Sequence, residues 1–239
     1  MRSPLVLVVR ENDGFSETLR EGGCRVLNVP AARTEPIDDL SGARSLIKDL
    51  SAYDGLFFTS PAAAEVFVSL ADRDEFHGKV YVLGERAKAV LANAGFLVEA
   101  NAANTAQEMI EHFGLDEFTG KRLLFVRGEQ SMRTIPDTLG DNAKIDEAVV
   151  YRTIEIKIDQ DDIPFGGHVD WICFFSPSGV ESFTRQIERS RLNGVLAAAI
   201  GTTTAKSAAD AGFTVGFVSD TASAAGFAKG LIGRINSIE

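Results

Sequence analysis

Two stretches decide the fold: FFTSPAAAEVF at Phe57–Phe67 and CFFSPSGVESF at Cys173–Phe183, whose Ser-Pro steps lie 116 residues apart. Each begins with an unbroken apolar run, which suits a strand buried on both faces, as in a parallel sheet. Each continues with Ser-Pro, the pairing of an N-cap with a proline at the first helical position. A small-residue helix follows.

Outward from these stretches the same alternation fills the chain. The strand-like runs are PLVLVV, RVLNV, GLFFTS, KVYVLG, FLVEA, KRLLFVRG, DEAVVYRT, VDWICFFS, LAAAIG and FTVGFVS, with helix-like segments between them. This predicts an α/β protein with mainly parallel sheets covered by helices on both faces. Gly84 and Gly201, and Gly95 and Gly212, recur at an offset of 117, and Thr105 and Thr221 at 116. VVRE at 8–11 matches FVRGE at 125–129. An internal repeat of about 116 residues follows, with five strands per copy, beginning VLVVR and LLFVR.

Local signals mark the helix ends. Phe15 and Leu19 share a face before Gly22-Gly23, and helices over 85–94 and 202–211 stop at AGF, where Gly95 and Gly212 suit a left-handed residue. Pro136 predicts a late helix start, or a kink, after Arg127. PAARTEP (30–36) and the β-branched YRTIEIKI (151–158) break the pattern and read as two inter-domain connections.

The totals agree with two domains of roughly 110 residues in a chain of 239. With 45% hydrophobic and 24% charged residues, the chain has the composition of a packed globular protein rather than a disordered one. The apolar stretch Leu5–Val9 is too short for a signal peptide and no run reaches membrane-spanning length, so a cytoplasmic location is expected. Cys24 and Cys173 have no CxxC spacing and read as buried thiols in a reducing compartment. A net charge of −10 argues against nucleic-acid and anionic-membrane partners, so any anion site must be locally positive.

His77, His112 and His168 lack metal-ligand spacing, and GxSxG, GxxxxGK[ST] and GxGxxG are absent; no metal or nucleotide is expected. What the sequence offers instead is a set of strand-to-helix turns rich in Ser, Thr and Gly: Thr59-Ser60-Pro61, Gly84, Thr105, Gly128, Ser176-Pro177-Ser178, Gly201-Thr202-Thr203-Thr204 and Thr221. Ligands of open parallel sheets bind beyond the carboxyl ends of the strands, where helix N-termini offer free N–H groups. Taken singly, Ser60 and Ser176 read as caps. Arg10 and Arg127 end the first strands of the two copies and suit carboxylates, or salt bridges to Glu11 and Glu129. Tyr151, at the exit of EAVVYRT, reads as a proton donor or as an amphipathic interface tyrosine.

In order and spacing, VVRENDGFSETLREGGCRVLNVP, FFTSPAAAEVF, LLFVRGEQ, EAVVYRT, FFSPSGVESF, AIGTTTAKSAADAGF and TASAAGFAKGL resemble the uroporphyrinogen-III synthase family across the whole chain. The resemblance implies two flavodoxin-like domains joined by a two-stranded linker, with the substrate in the cleft between them. Residues 1–30 with 157–239 would form one discontinuous domain, 36–150 the other, and 31–35 and 151–156 the linkers. It further implies a lyase without cofactor, which cyclises hydroxymethylbilane with inversion of ring D and loss of water. It would be a monomer, in transient contact with hydroxymethylbilane synthase. Tyr151 becomes the candidate acid, and Arg10, Ser60, Gly84, Arg127, Gly128, Ser176, Ser178, Gly201, Thr203 and Thr204 become candidate substrate contacts. Ala87 stands where the family commonly has threonine, and Asn is missing from TSPAAAEVF, which leaves backbone N–H groups as the first-copy contacts and makes Ser60 mainly a cap. A non-catalytic two-lobed binding protein for a small polyanion is the competing reading; a flavin protein of flavodoxin type lacks a phosphate cradle.

Overall fold

The computed structural model describes residues 2–103, 105–164, 169–221 and 223–237; of the three histidines, His168 lies outside them. In chain order the protein forms β1 (Leu5–Val8), α1 (Gly14–Glu21), β2 (Arg25–Asn28), β3 (Ala32–Pro36), α2 (Ser41–Ile47), β4 (Gly55–Phe58), α3 (Pro61–Leu70), β5 (Lys79–Val82), α4 (Glu85–Asn93), α5 (Ala106–Phe113), β6 (Arg122–Gly128), α6 (Thr134–Leu139), β7 (Lys144–Glu155), β8 (Trp171–Phe174), α7 (Pro177–Gln186), β9 (Leu196–Ala199), α8 (Thr202–Asp210), β10 (Thr214–Val218) and α9 (Ala224–Asn236). The result is a mixed α/β fold with parallel sheets. Contacts divide the chain into one unit of Met1–Arg33 with Glu155–Glu239 and another of Thr34–Ile154. The first holds the sheet β10-β9-β8-β1-β2, the second the sheet β3-β7-β6-β4-β5.

Apolar runs without alternation arise because both faces of each sheet are covered. Phe57 turns into a core with Tyr81, Phe118 and Phe125, and Phe58 into the opposite core with Phe67 and Leu124. Both are fully buried, which stabilises the fold by about 1.5–3 kcal/mol each. In the other unit, Ile172 and Phe174 face Val180 and Phe183, whereas Trp171 and Cys173 face Phe227 and Leu231. Cys24 and Cys173 are buried free thiols, and burial pushes the Cys173 thiol well above its usual range.

Helix ends follow the local signals. Phe15 and Leu19 are buried on α1, and α4 and α8 are each followed by a glycine with positive φ, 86° at Gly95 and 87° at Gly212. After β6 the helix containing Pro136 starts late, at Thr134.

One strand-like segment departs from expectation. FLVEA is not a strand: only Val98 bridges, to Val80, and Leu97 is 79% exposed. The ladder stops because, after Glu99 N–H bonds Val80 O, the carbonyl of Val82 is taken by the Asn101 side chain. PAARTEP, expected as a connection, supplies edge strand β3, held beside β7 by Ile37 N–H to Val150 O and Ile156 N–H to Ala31 O. The first residues of YRTIEIKI likewise continue β7 to Glu155.

Candidate functional site

In each unit the strand-to-helix turns follow the carboxyl ends of the strands, so the candidate residues gather along one edge of each sheet. Ser60 follows β4 and caps α3, its Oγ accepting the Ala63 N–H at 3.2 Å; Ser176 follows β8 and caps α7, accepting the Gly179 N–H at 3.1 Å. Both prolines occupy the start of the helix. Capping therefore accounts for the recurrence of Ser-Pro. The two turns are not equal: Ser176 Oγ also lies 3.2 Å from Ser178 Oγ, whereas Ala62 stands two residues after Ser60.

Gly84 and Gly201 are the N-caps of α4 and α8, and neither helix has a side-chain cap bond. Glycine supplies no capping oxygen, so at both helices the N-cap side chain leaves the first-turn N–H groups uncapped, next to the positive end of the helix dipole. The two threonines that follow in α8 take different roles. Thr203 lines a groove of about 420 Å³ between α7 and α8 with Pro177, Val180, Thr184, Lys206 and Asp210. Thr204 is turned inward and only 4% exposed, so its side chain is withdrawn from the surface expected for it.

Arg10 lies just beyond β1. Its Nη2 pairs with Asp13 Oδ2 at 2.5 Å and its guanidinium sits 4.3 Å from the centre of the Phe175 ring, the residue before Ser176. The acidic partner is thus Asp13 and not Glu11, because Asp13 is fixed as the N-cap of α1 by the Phe15 N–H. Asp13 announces itself in the sequence as Asp-Gly before an apolar-periodic stretch. Phe175 does not, since its contact with Arg10 spans a parallel strand pair.

Arg127 is differently placed. It pairs with Glu147 of β7 at 2.6 Å and donates from Nη1 to the carbonyls of Gly128 (2.9 Å) and Glu129 (3.2 Å). Its side chain is 14% exposed, and its carboxylate partner is Glu147 of β7, not the neighbouring Glu129 of the salt-bridge alternative. Beside it the Gly128 N–H donates to Ser131 Oγ at 3.0 Å. Tyr151 lies across Gly128 on β7, partly buried, and its hydroxyl has no hydrogen-bond partner among the described residues.

Perturbed titrations gather at the other end of the second sheet. Burial, and then the bond from its hydroxyl to Asp146, pushes Tyr53 up to about 12. Arg122, the first residue of β6, holds the same carboxylate at 2.8 Å. This cluster braces strand beginnings and is structural. Among the described residues no group of three or more His, Cys, Asp or Glu is placed to hold a metal ion, and no helix is long and apolar enough to cross a membrane.

A family profile described as Uroporphyrinogen-III synthase HemD matches residues 13–229. A uroporphyrinogen-III synthase of Chlorobaculum parvum is 26% identical over 235 residues, covering 91% of this chain and 92% of the relative. In fold, the chain is similar to a mutant uroporphyrinogen III synthase from Thermus thermophilus (TM-score 0.68, 17% identity, 98% of this chain and 100% of the other). It is also similar to uroporphyrinogen-III synthetase from Helicobacter pylori (TM-score 0.67, 16% identity, 100% of both chains). With the family profile matched over residues 13–229, the chain belongs to the uroporphyrinogen-III synthase family.

Proposed function

We infer that this chain performs the uroporphyrinogen-III synthase reaction of tetrapyrrole biosynthesis, closing hydroxymethylbilane with inversion of ring D and loss of water, and that Tyr151 is its proton donor. The observation that carries the assignment is the Tyr151 hydroxyl: alone among the three tyrosines it has no partner among the described residues, whereas Tyr53 donates to Asp146 and Tyr81 to Glu117. A phenol in that state can pass its proton to the terminal hydroxyl of the bilane as the C–O bond breaks and water leaves, the pyrrole nitrogen supplying the electron pair. The methylene carbon of the resulting azafulvene cation is then attacked by the substituted carbon of the last ring. A spiro intermediate forms, fragments and recombines to give the inverted ring.

The substrate is a polyanion and the protein carries a net charge of −10, so its carboxylates need local receptors. The uncapped helix N-termini after Gly84 and Gly201, the hydroxyls of Ser176, Ser178 and Thr203, and the Arg10 guanidinium fill that role. Ser60, with its oxygen engaged by Ala63, serves α3. Holding the flexible chain so that its ends meet at the substituted carbon raises the effective molarity of the productive closure.

We read the two units as flavodoxin-like domains related by the repeat of about 116 residues, residues 1–30 with 157–239 and 36–150, linked by 31–35 and 151–156. The division of contacts at Arg33/Thr34 and Ile154/Glu155 supports this. The enzyme works as a cytoplasmic monomer without cofactor, taking its substrate from hydroxymethylbilane synthase. The test is Tyr151→Phe with fresh hydroxymethylbilane and chromatographic separation of the product isomers. Turnover to the III isomer is expected to fall by about 10²-fold or more, the usual worth of a general acid. Activity within a few-fold of wild type sinks the assignment of Tyr151, and type I product alone from the wild-type protein sinks the enzymatic reading.

A further inference from the structure

We propose that Gly128, held by Arg127 and Ser131, is a shelf that aims the Tyr151 ring, and is a positioning residue for the reaction rather than a substrate contact. The inference rests on the reading of Tyr151 as proton donor.

Register carries the first part. Along β6 and β7, Arg127 pairs with Val149, but Gly128 pairs with Tyr151, so Val150 is an extra residue and β7 bulges there. Ala148 and Val150 are fully buried in the core that contains Phe58 and Val126. Alternation in a regular strand sends the next residue to the opposite face. Tyr151 instead packs against that same core. The bulge has turned it.

Space carries the second part. Gly128 is not among the glycines with positive φ, so backbone conformation does not require glycine there. What requires it is the ring: a Cβ at Gly128 meets Tyr151 Cζ at 2.5 Å, Cε2 at 2.6 Å and Cε1 at 2.9 Å. These atoms form the hydroxyl end of the ring, so a methyl group there displaces the proton donor itself while leaving the Tyr151 backbone in place.

The shelf is fixed on every side. The Gly128 N–H donates to Ser131 Oγ, and its carbonyl accepts from Arg127 Nη1 and from the Ser131 N–H at 3.2 Å. Arg127 is anchored by Glu147 on β7 itself, and the Glu129 N–H resumes the ladder on Tyr151 O at 2.9 Å. Both strands are thereby tied before and after the bulge.

The test combines Gly128→Ala, Tyr151→Phe and the double variant, with kcat and KM for the III isomer and the ring signals of ¹³C-tyrosine, Tyr151 being assigned by its loss in Tyr151→Phe. Because only a side-chain tip must move, Gly128→Ala is expected to fold, shift the Tyr151 signal, and lower kcat by about 10- to 100-fold with KM within about twofold. In the Tyr151→Phe background the same change is expected to alter kcat by less than about twofold, since the group being aimed is gone. An unmoved ring signal, or an equal loss of kcat in both backgrounds, overturns the shelf while Tyr151→Phe stays slow. A Tyr151→Phe variant as fast as wild type overturns the proton-donor reading and the positioning role with it. If Gly128→Ala does not fold, Ser131→Ala loosens the shelf from below; it must slow the wild type and spare the Tyr151→Phe background, and an equal loss in both refutes the proposal.

Discussion

Arg10 and Arg127 look interchangeable in the sequence, each closing the first strand of a repeat copy, yet their surroundings separate them. Arg127 is 14% exposed, forms an ion pair with Glu147 and donates to two backbone carbonyls; Arg10 is 28% exposed, with a ring beneath it and Asp13 beside it. Removing the first should therefore cost stability and removing the second should cost substrate affinity. Arg127→Ala is expected to lower the unfolding free energy by about 2 kcal/mol, the worth of lost charge-assisted hydrogen bonds with a partner left behind. Arg10→Ala is expected to cost less than about 1 kcal/mol, as a partly exposed pair does, and to raise KM. Urea titration and steady-state kinetics on both variants check the split. The two capping serines permit a similar comparison. Ser60→Ala and Ser176→Ala should each lose about 1 kcal/mol of stability, and only the second, beside Ser178, should also raise KM.

At the scale of elements, the strongest electrostatic feature is a single carboxylate that ties β5 to the segment before β6. Glu117 accepts from Lys121 at 2.7 Å, from the Tyr81 hydroxyl at 2.7 Å and from Lys79 at 3.0 Å. These bonds, Lys121 first, hold its carboxyl down at about 2, and burial and the same carboxylate push the Tyr81 phenol up. A carboxyl whose folded pKa lies below its unfolded one contributes stability above the unfolded value and loses it as pH falls through the folded one. The unit of Thr34–Ile154 should thus weaken between about pH 4.5 and about pH 2. Glu117→Gln should flatten that part of the profile, measured as urea midpoints at pH 6 and pH 3; an unchanged slope refutes the role. The elements also show the limits of pattern. FLVEA carries the apolar content of a strand, but its ladder ends where Asn101 takes the Val82 carbonyl, and PAARTEP lacks that content yet pairs, because an edge strand beside β7 needs backbone bonds more than buried side chains.

For the whole molecule, chain order and spatial grouping differ in an instructive way. β1 and β2 belong to the sheet of β8, β9 and β10, while β3 to β7 form a sheet from contiguous sequence. The segment 34–154, with its own two cores, is expected to fold alone and give a dispersed NMR spectrum. Deleting residues 1–33 should unfold the first unit by stripping β1 and β2 from β8. The sequence by itself determined the α/β class, most strands, the helix starts at Ser-Pro and the ends at Gly95 and Gly212, because each depends on neighbours within a few positions: apolar runs, caps and left-handed glycines. FFTSPAAAEVF and CFFSPSGVESF each give a buried strand, a capping serine and a helix for the same local reasons. Only the tertiary structure decided that Thr204 is buried, that Arg127 is consumed by Glu147, and that a bulge at Val150 lays Tyr151 across Gly128. Those outcomes depend on register between strands distant in sequence, and a shift of one residue in register changes which face a side chain occupies.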